Sequence, residues 1–226
     1  VVIASHIVND NFFEYVRNNL DCNDCTRLLL RSEHVDFDKG FAIQQIECRK
    51  RFNSKLPELL SNLRFLFPQK ISGEQCTHQD VAKLHADLFS ATDNVLDMTM
   101  GLGVDSFYIS RKVNSVIGIE LNEEIAEISK FNYSEMAPNL RVINANSVDY
   151  IRNCRNRYSA VFIDPARRDT SGKRTYGFHD CTPDVIDLLT DIKKITHRLV
   201  IKASPMLDIS QSIKELRHIK DIWVIA

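Results

Sequence analysis

Residues 95–106 read Val95-Leu96-Asp97-Met98-Thr99-Met100-Gly101-Leu102-Gly103-Val104-Asp105-Ser106, and Val116-Ile117-Gly118-Ile119-Glu120 follows closely. An apolar run ends in an acid, turns through two glycines and enters a helical pattern. A second apolar run then ends in another acid. Gly101 and Gly103 let the backbone approach a ligand where a Cβ would collide, and they accept the dihedrals of a tight strand-to-helix turn. Glu120, at the tip of the second run, is placed to accept hydrogen bonds from both hydroxyls of a ribose. Charge-assisted bonds of this kind are worth roughly 1.5 to 3 kcal/mol each. The stretch therefore predicts a site for a nucleoside-bearing cofactor.

Working outward, apolar runs alternate with amphipathic ones from residue 94 onward. Strands are expected at 94–98, 115–119, 140–144, 159–163, 198–202 and 221–225, and helices at 103–112, 122–133, 147–154, 183–194 and 209–216. Repeated βα units of this length predict a doubly wound α/β fold, a mostly parallel sheet with helices on both faces and right-handed crossovers. Ligands bind such sheets at the carboxyl ends of the strands, where the strand order reverses. Upstream, Phe12, Phe13, Val16 and Leu20, then Leu56, Leu59, Leu60, Leu63 and Leu66, repeat at helical spacing, with breaks at Gly40, Pro57, Pro68 and Gly73. We therefore expect a helical amino-terminal domain over residues 1–75 and an α/β domain over 76–226.

Composition narrows the setting. With 226 residues, 44% hydrophobic and 26% charged, the chain can bury a full core. No run approaches the roughly 20 apolar residues of a membrane span, and no charged-then-apolar leader precedes the first helix, so a cytoplasmic protein is expected. Six cysteines at irregular spacing read as reduced thiols. A net charge of -1 supplies no global field to attract nucleic acid, so any such contact must be local. The chain opens without methionine and stops on Ile222-Trp223-Val224-Ile225-Ala226, which suggests a piece of a longer protein.

Two readings compete for the glycine turn. A dehydrogenase fingerprint wants a third small residue at 106, which Ser106 satisfies only in part. Downstream, Val161-Phe162-Ile163-Asp164-Pro165-Ala166-Arg167-Arg168 puts an acid and a proline at the top of a buried strand, a feature hydride transfer does not require. With these residues the chain resembles the class I S-adenosylmethionine-dependent methyltransferases, with a Rossmann-like domain over 94–226 that lacks its last strand. The resemblance implies S-adenosylmethionine as cofactor. It places Asp97 to Gly103, including Thr99 and Gly101, in the first motif, with Thr99 where a further glycine is common. Glu120, with Leu121 after it, falls at the ribose-binding acid. Asn146, in Asn144-Ala145-Asn146-Ser147, takes the position of an adenine-reading aspartate, and Asp164 with Pro165, Ala166 and Arg167 falls at the motif beside the methyl group.

A narrower similarity rests on Glu74-Gln75-Cys76-Thr77, Asp164-Pro165-Ala166-Arg167-Arg168-Asp169 and Lys202-Ala203-Ser204-Pro205-Met206-Leu207-Asp208. These resemble a bacterial methyltransferase family in which a helical domain precedes the methyltransferase domain and a THUMP-like domain follows it. Thr77-His78-Gln79-Asp80-Val81-Ala82 is also similar to the first helix of cap trimethylguanosine synthases. THUMP domains bind RNA, so the resemblance implies an RNA substrate for the full-length protein. It also brings Thr77, Asp105 and Ser147 to the cofactor.

In-line methyl transfer gains mostly from holding nucleophile, methyl and sulfur collinear, so a strong base is optional. An amine nucleophile still needs an acceptor, which Asp164 or the carbonyl of Pro165 can supply. Ala166 and Arg167 stand where amino-methylating relatives carry a second proline and an aromatic; Arg167 can instead stack on a base or pair with phosphate. Each assignment has a plainer rival. Asp97 can cap the turn, Asp105 can serve as a first-turn helix acid, Asn146 can simply end a strand, and Asp164 can be a turn aspartate before proline. Arg167, Arg168, Lys173 and Arg174 read equally as a phosphate-binding or a solvated loop, whereas Arg49, Lys50, Arg51 and Lys55 read more readily as the wet face of a helix than as RNA contacts. Cys22 and Cys25 have metal-ligand spacing without a second pair, so no metal is expected. Cys181 reads as a structural thiol and His179 as a loop residue. The expected function is an S-adenosylmethionine-dependent methyltransferase acting on RNA, the alternatives being a protein or small-molecule methyltransferase, or a non-catalytic RNA-binding module that keeps the pocket.

Overall fold

The computed structural model describes residues 2–167, 177–204 and 207–225, with Arg167 and Asp180 described by backbone alone. A hairpin of β1 (Val2–Ile3) and β2 (His6–Ile7) leads into six helices: α1 (Asp10–Asn18), α2 (Cys25–Leu30), α3 (Lys39–Phe52), α4 (Pro57–Leu60), α5 (Lys70–Gln75) and α6 (Gln79–Ala86). The α/β part follows as β3 (Asn94–Asp97), α7 (Val104–Ser110), β4 (Ser115–Glu120), α8 (Glu123–Met136), β5 (Leu140–Asn144), α9 (Ser147–Asn153) and β6 (Ala160–Ile163). A small ladder of β7 (Ala166–Arg167) and β8 (Cys181–Thr182) precedes α10 (Val185–Ile195), β9 (Leu199–Ile201) and α11 (Ile209–Leu216).

The five-stranded sheet runs β5-β4-β3-β6-β9 and every pair is parallel. Successive strands step outward from β3 to β5, and the chain then returns to the other side of β3. The order therefore reverses between β3 and β6, and the expected doubly wound sheet is observed. The central strands are apolar on both faces because each face is covered. Val95, Val116, Val142 and Phe162 pack with Phe107 and Tyr108 of α7 and Tyr133 of α8. Their neighbours Leu96, Val161 and Ile163 point the other way, against Ile151 of α9 and Val185, Leu188 and Ile192 of α10. Helix starts follow local chemistry: Asn122, Asn146, Asp184 and Asp208 cap α8, α9, α10 and α11 with side-chain oxygens on backbone N–H groups.

The amino-terminal helices close over the α7–α8 face. Cys48, Phe52, Leu56, Leu59, Phe65 and Phe67 share one cluster with the sheet residues of that face, while Phe12, Phe13, Val16, Phe41 and Ile46 form a second cluster that Ile128 of α8 joins. The irregular stretch between α4 and α5 is held by buried polar side chains. Arg49 donates to the carbonyls of Leu60, Asn62, Leu63 and Phe65 at 2.6 to 3.1 Å. Gln45 bridges both backbone groups of Phe67, and Asn132 bridges both of Leu66.

One expected strand does not form. Residues 221–225 pair with nothing among the described residues, and Ile222, Trp223, Val224 and Ile225 are exposed, Val224 by 79%. An apolar run marks a segment able to pair, but a strand exists only where an edge is placed beside it. The basic cluster at the end of α3 and just beyond it is likewise neither an open nor a wholly wet face. Arg49 is buried, Lys50 reaches the carbonyl of Cys22, Arg51 pairs with Glu74, and Lys55 binds the carbonyls of Gly73 and Glu74. Among the described residues no helix is long and apolar enough to cross a membrane.

Candidate functional site

The turn after β3 is built around its glycines. Gly101 has φ +55° and Gly103 φ +82°, both in the left-handed region that disfavours side chains. A Cβ on Gly103 would lie 2.4 Å from Met100 Cε and 2.7 Å from the buried ring of Tyr133. A Cβ on Gly101 would meet nothing within 4 Å, so at that point the backbone faces open space.

Two acids tie the turn. Asp97, 1% exposed, accepts the Thr99 N–H at 3.0 Å and the Ser106 hydroxyl at 2.6 Å. Burial pushes its carboxyl up to about 7 against the lowering effect of those bonds. Glu120, at the tip of β4, accepts the Gly101 N–H at 2.9 Å and the Asn122 N–H at 2.7 Å. The tips of the adjacent strands β3 and β4 thus meet at one turn. Asp97 also does the work of its plainer reading, since it caps that turn.

Beside the turn lies a partly open cleft of about 130 Å³, lined by Thr77, Asp97, Thr99, Gly101, Gly103, Asp105, Ile125 and Asp164 among others. On one wall a polar network gathers five side chains. His85 Nδ1 lies 2.7 Å from Asp105 Oδ1, and Thr77 donates its hydroxyl proton to Asp105 Oδ2. Lys202 Nζ donates to Thr77 Oγ1 at 2.7 Å, pairs with Asp164 Oδ2 and stands 3.7 Å from Asp105 Oδ2. The backbone N–H of Asp164 donates to Thr99 Oγ1 at 2.7 Å, joining network and turn.

The charges compensate one another. Burial alone would raise the Asp105 carboxyl, but His85, Lys202 and Thr77 hold it below the usual carboxylate range. Burial does raise Asp164, with Lys202 opposing it. Burial would lower Lys202, yet the Asp105 and Asp164 carboxylates raise it.

The structure brings together Thr77, Asp97, Thr99, Gly101, Gly103, Asp105 and Asp164, with Glu120 joined through Gly101 and Pro165 buried next to Asp164. Leu121 projects outward, 70% exposed. Asn146 is exposed, and its Oδ1 accepts from Val148 and Asp149 at the start of α9, where Ser147 is the first residue. Neither Leu121, Asn146 nor Ser147 lines the cleft. The Arg167 side chain, Arg168, Lys173 and Arg174 lie outside the described residues. Cys181 is buried, and Cys22 and Cys25 are free thiols. His179, Asp184 and Asp187 bring potential ligand atoms within 4.8 Å of one another, but Asp184 already caps α10.

Sequence reasoning missed His85 and Lys202. His85 carried a signal, a polar residue on the buried side of an amphipathic helix, alongside Ala82 and Ala86. Lys202 stood in a quoted motif, but nothing in its local sequence announced its partners.

No protein-family model matches the chain. An uncharacterised RNA methyltransferase of Mycoplasma mobile is 28% identical over 109 residues, covering 48% of this chain and 27% of the relative. An uncharacterised RNA methyltransferase of Nanoarchaeum equitans is 28% identical over 130 residues, covering 52% of this chain and 27% of the relative. The chain thus spans about a quarter of the length of these curated relatives. Among solved structures, a protein of Porphyromonas gingivalis W83 assigned as a methyltransferase superposes with a TM-score of 0.79 at 23% identity, over 92% of this chain and 53% of its own. The fold is that of the Rossmann-like methyltransferases, and the chain's relatives in sequence include RNA methyltransferases.

Proposed function

We propose that the chain carries the cofactor site and reaction face of an S-adenosylmethionine-dependent methyltransferase acting on RNA. The observation that carries this reading is the shared turn: Glu120 holds the Gly101 N–H from the neighbouring strand while the backbone at Gly101 opens onto the cleft. The donor set fits the group. Each Glu120 oxygen has spent one lone pair on a backbone N–H and keeps capacity for a ribose hydroxyl. Asp105 and Thr77, both in the cleft lining, offer a carboxylate and a hydroxyl to the ammonium of an amino-acid moiety. When bound, S-adenosylmethionine supplies an electrophilic methyl group on a sulfonium. The chain's part is to hold the acceptor atom in line and to give its proton somewhere to go, and Asp164 is the carboxylate in the cleft suited to both.

RNA as substrate is supported by the similarity to two RNA methyltransferases and by the resemblance to the family with a THUMP-like module. The same resemblance extends the proposal to a cytoplasmic enzyme with a helical domain over 1–75, its THUMP-like module contributing to RNA capture.

The test is transfer of labelled methyl from S-adenosylmethionine to RNA or protein from cells lacking the protein. Transfer to RNA that Asp164→Ala abolishes, with S-adenosylhomocysteine still bound, is the expected result. Label on protein alone removes the RNA reading, and binding without transfer to anything favours a non-catalytic module. Calorimetry with S-adenosylhomocysteine and NAD separates the dehydrogenase reading, which tighter NAD binding would restore.

A further inference from the structure

We propose that Lys202 is a positioning residue that holds Asp164 ionised and oriented for a nucleophile carrying a proton, such as a base amine or ring N–H. The inference rests on the methyl-transfer reading above and adds how the acceptor carboxylate is made usable.

The geometry begins in the sheet. Ile163 pairs with Ile201 in parallel register, and the Lys202 N–H donates to the Ile163 carbonyl at 2.9 Å. Asp164 and Lys202 are therefore the next residues on neighbouring strand tips, and the register itself brings them together. The ammonium is then fixed from a second direction. Thr77 accepts from it at 2.7 Å, and Asp105 stands 3.7 Å away. Thr77 can accept because its own proton goes to Asp105, whose other oxygen lies 2.7 Å from His85 Nδ1 on α6. The ammonium thus faces oxygens of Thr77, Asp105 and Asp164, which together hold it in place. Asp164 is pinned as well, by its N–H on Thr99 and by Oδ2 on Lys202. Oδ1 is the oxygen outside that pair, on a residue that lines the cleft.

The chemistry explains why such a lysine is needed. Asp97, Asp105 and Asp164 all line one buried cleft, and neighbouring carboxylates out of water favour their protonated forms. A neutral Asp164 can neither orient an N–H nor take its proton. Among the described residues, the charged or titratable groups that act on Asp164 are Lys202 from the end of β9, Asp105 from α7, His85 from α6 and Asp97 from β3. Lys202 is the one in direct contact that favours the carboxylate. A nucleophile without a proton would have no use for this arrangement.

The test uses the full-length protein, S-adenosylmethionine and RNA from cells lacking it. Wild-type transfer should rise with pH along an acid limb set by Asp164. Lys202→Met should move that limb upward by about one pH unit or more, so that kcat falls roughly tenfold on the acid side of the limb and little on its plateau, with KM for S-adenosylmethionine within about threefold. Lys202→Arg should return the limb most of the way. The carboxyl carbon-13 resonance of Asp164, assigned by its loss in Asp164→Asn, reports the same ionisation without catalysis, and its midpoint should rise in Lys202→Met. If that variant does not fold, Lys202→Gln removes the charge while keeping a donor and should give the same shift. An unmoved midpoint overturns the proposal, as does a rate that falls equally at every pH. A shifted midpoint in a protein whose wild type transfers no methyl supports the pairing and refutes the methyltransferase reading instead.

Discussion

Replacing Glu120 by alanine separates what that carboxylate does for the protein from what it does for a ligand. Without ligand it accepts two backbone N–H groups, Gly101 at 2.9 Å and Asn122 at 2.7 Å. Both donors sit at a partly exposed strand tip, where water can replace the lost acceptor, so the loss of stability should be about 1 to 2 kcal/mol. Ribose hydroxyls would lose a charged acceptor at the turn beside the cleft, which costs about 1.5 to 3 kcal/mol of binding, or roughly 10- to 150-fold in affinity. Glu120→Gln sharpens the distinction. Its amide oxygen can keep one backbone N–H, but its amide nitrogen faces the other donor and offers no charge to a hydroxyl. Urea denaturation should therefore place the glutamine variant between wild type and alanine in stability. Calorimetry with S-adenosylhomocysteine should place its affinity near that of alanine. Affinity within twofold of wild type in Glu120→Ala would remove Glu120 from the ligand and with it the reasoning that joins the two strand tips.

Gly103→Ala must hold a left-handed dihedral and push a Cβ against Met100 and the buried Tyr133 ring, so it should cost about 2 to 4 kcal/mol in urea unfolding, and a loss under 0.5 kcal/mol would contradict that packing. Asp97, near 7 when folded against 3.8 as its ordinary value, binds more protons folded than unfolded between those limits. Its contribution to stability is therefore present below about pH 4 and is lost as pH rises towards 7; Asp97→Asn should flatten that fall, and parallel curves for the two proteins would refute the shift. Arg49→Met fills the space of the guanidinium but leaves four carbonyls without their donor, so it should destabilise by about 3 to 5 kcal/mol, measured by denaturation; a neutral effect would mean that water reaches those carbonyls.

What could be read along the chain was whatever is local in sequence. The Asp97 to Gly103 turn, the acid at the tip of β4 and the alternation of strands and helices are patterns within a few residues, and the sheet appears where they place it. The polar wall was hidden for a geometric reason. Lys202 and Asp164 are 38 residues apart and meet through the register of β6 with β9, while Thr77 and Asp105 are 28 residues apart and meet because α6 packs on α7. Neither contact leaves a trace in periodicity. Arg49 misled in the opposite sense, since a basic run suggests a solvated or nucleic-acid-facing helix and here one of its members is the buried anchor of an irregular segment. Residues 221–225 carried a strand pattern without an edge to join.

The glycine turn alone does not decide between a dinucleotide and a sulfonium cofactor, but its hydrogen bonds do bear on the choice. A pyrophosphate is held by free backbone N–H groups at the turn and at the start of the following helix. Here the Thr99 N–H is spent on Asp97, the Met100 N–H on the Ile119 carbonyl, the Gly101 N–H on Glu120 and the Gly103 N–H on the Met100 carbonyl. The same cleft sets Asp97, Asp105 and Asp164 against the ammonium of Lys202. A doubly charged anion would find four of the turn's donors occupied and carboxylates facing it, which raises the cost of its desolvation. A cationic sulfur with a ribose on one side and an amino-acid group on the other meets acceptors on both flanks. The bonding of the turn thus favours a cofactor that brings positive charge into the cleft, and the sequence of glycines by itself could not have said so.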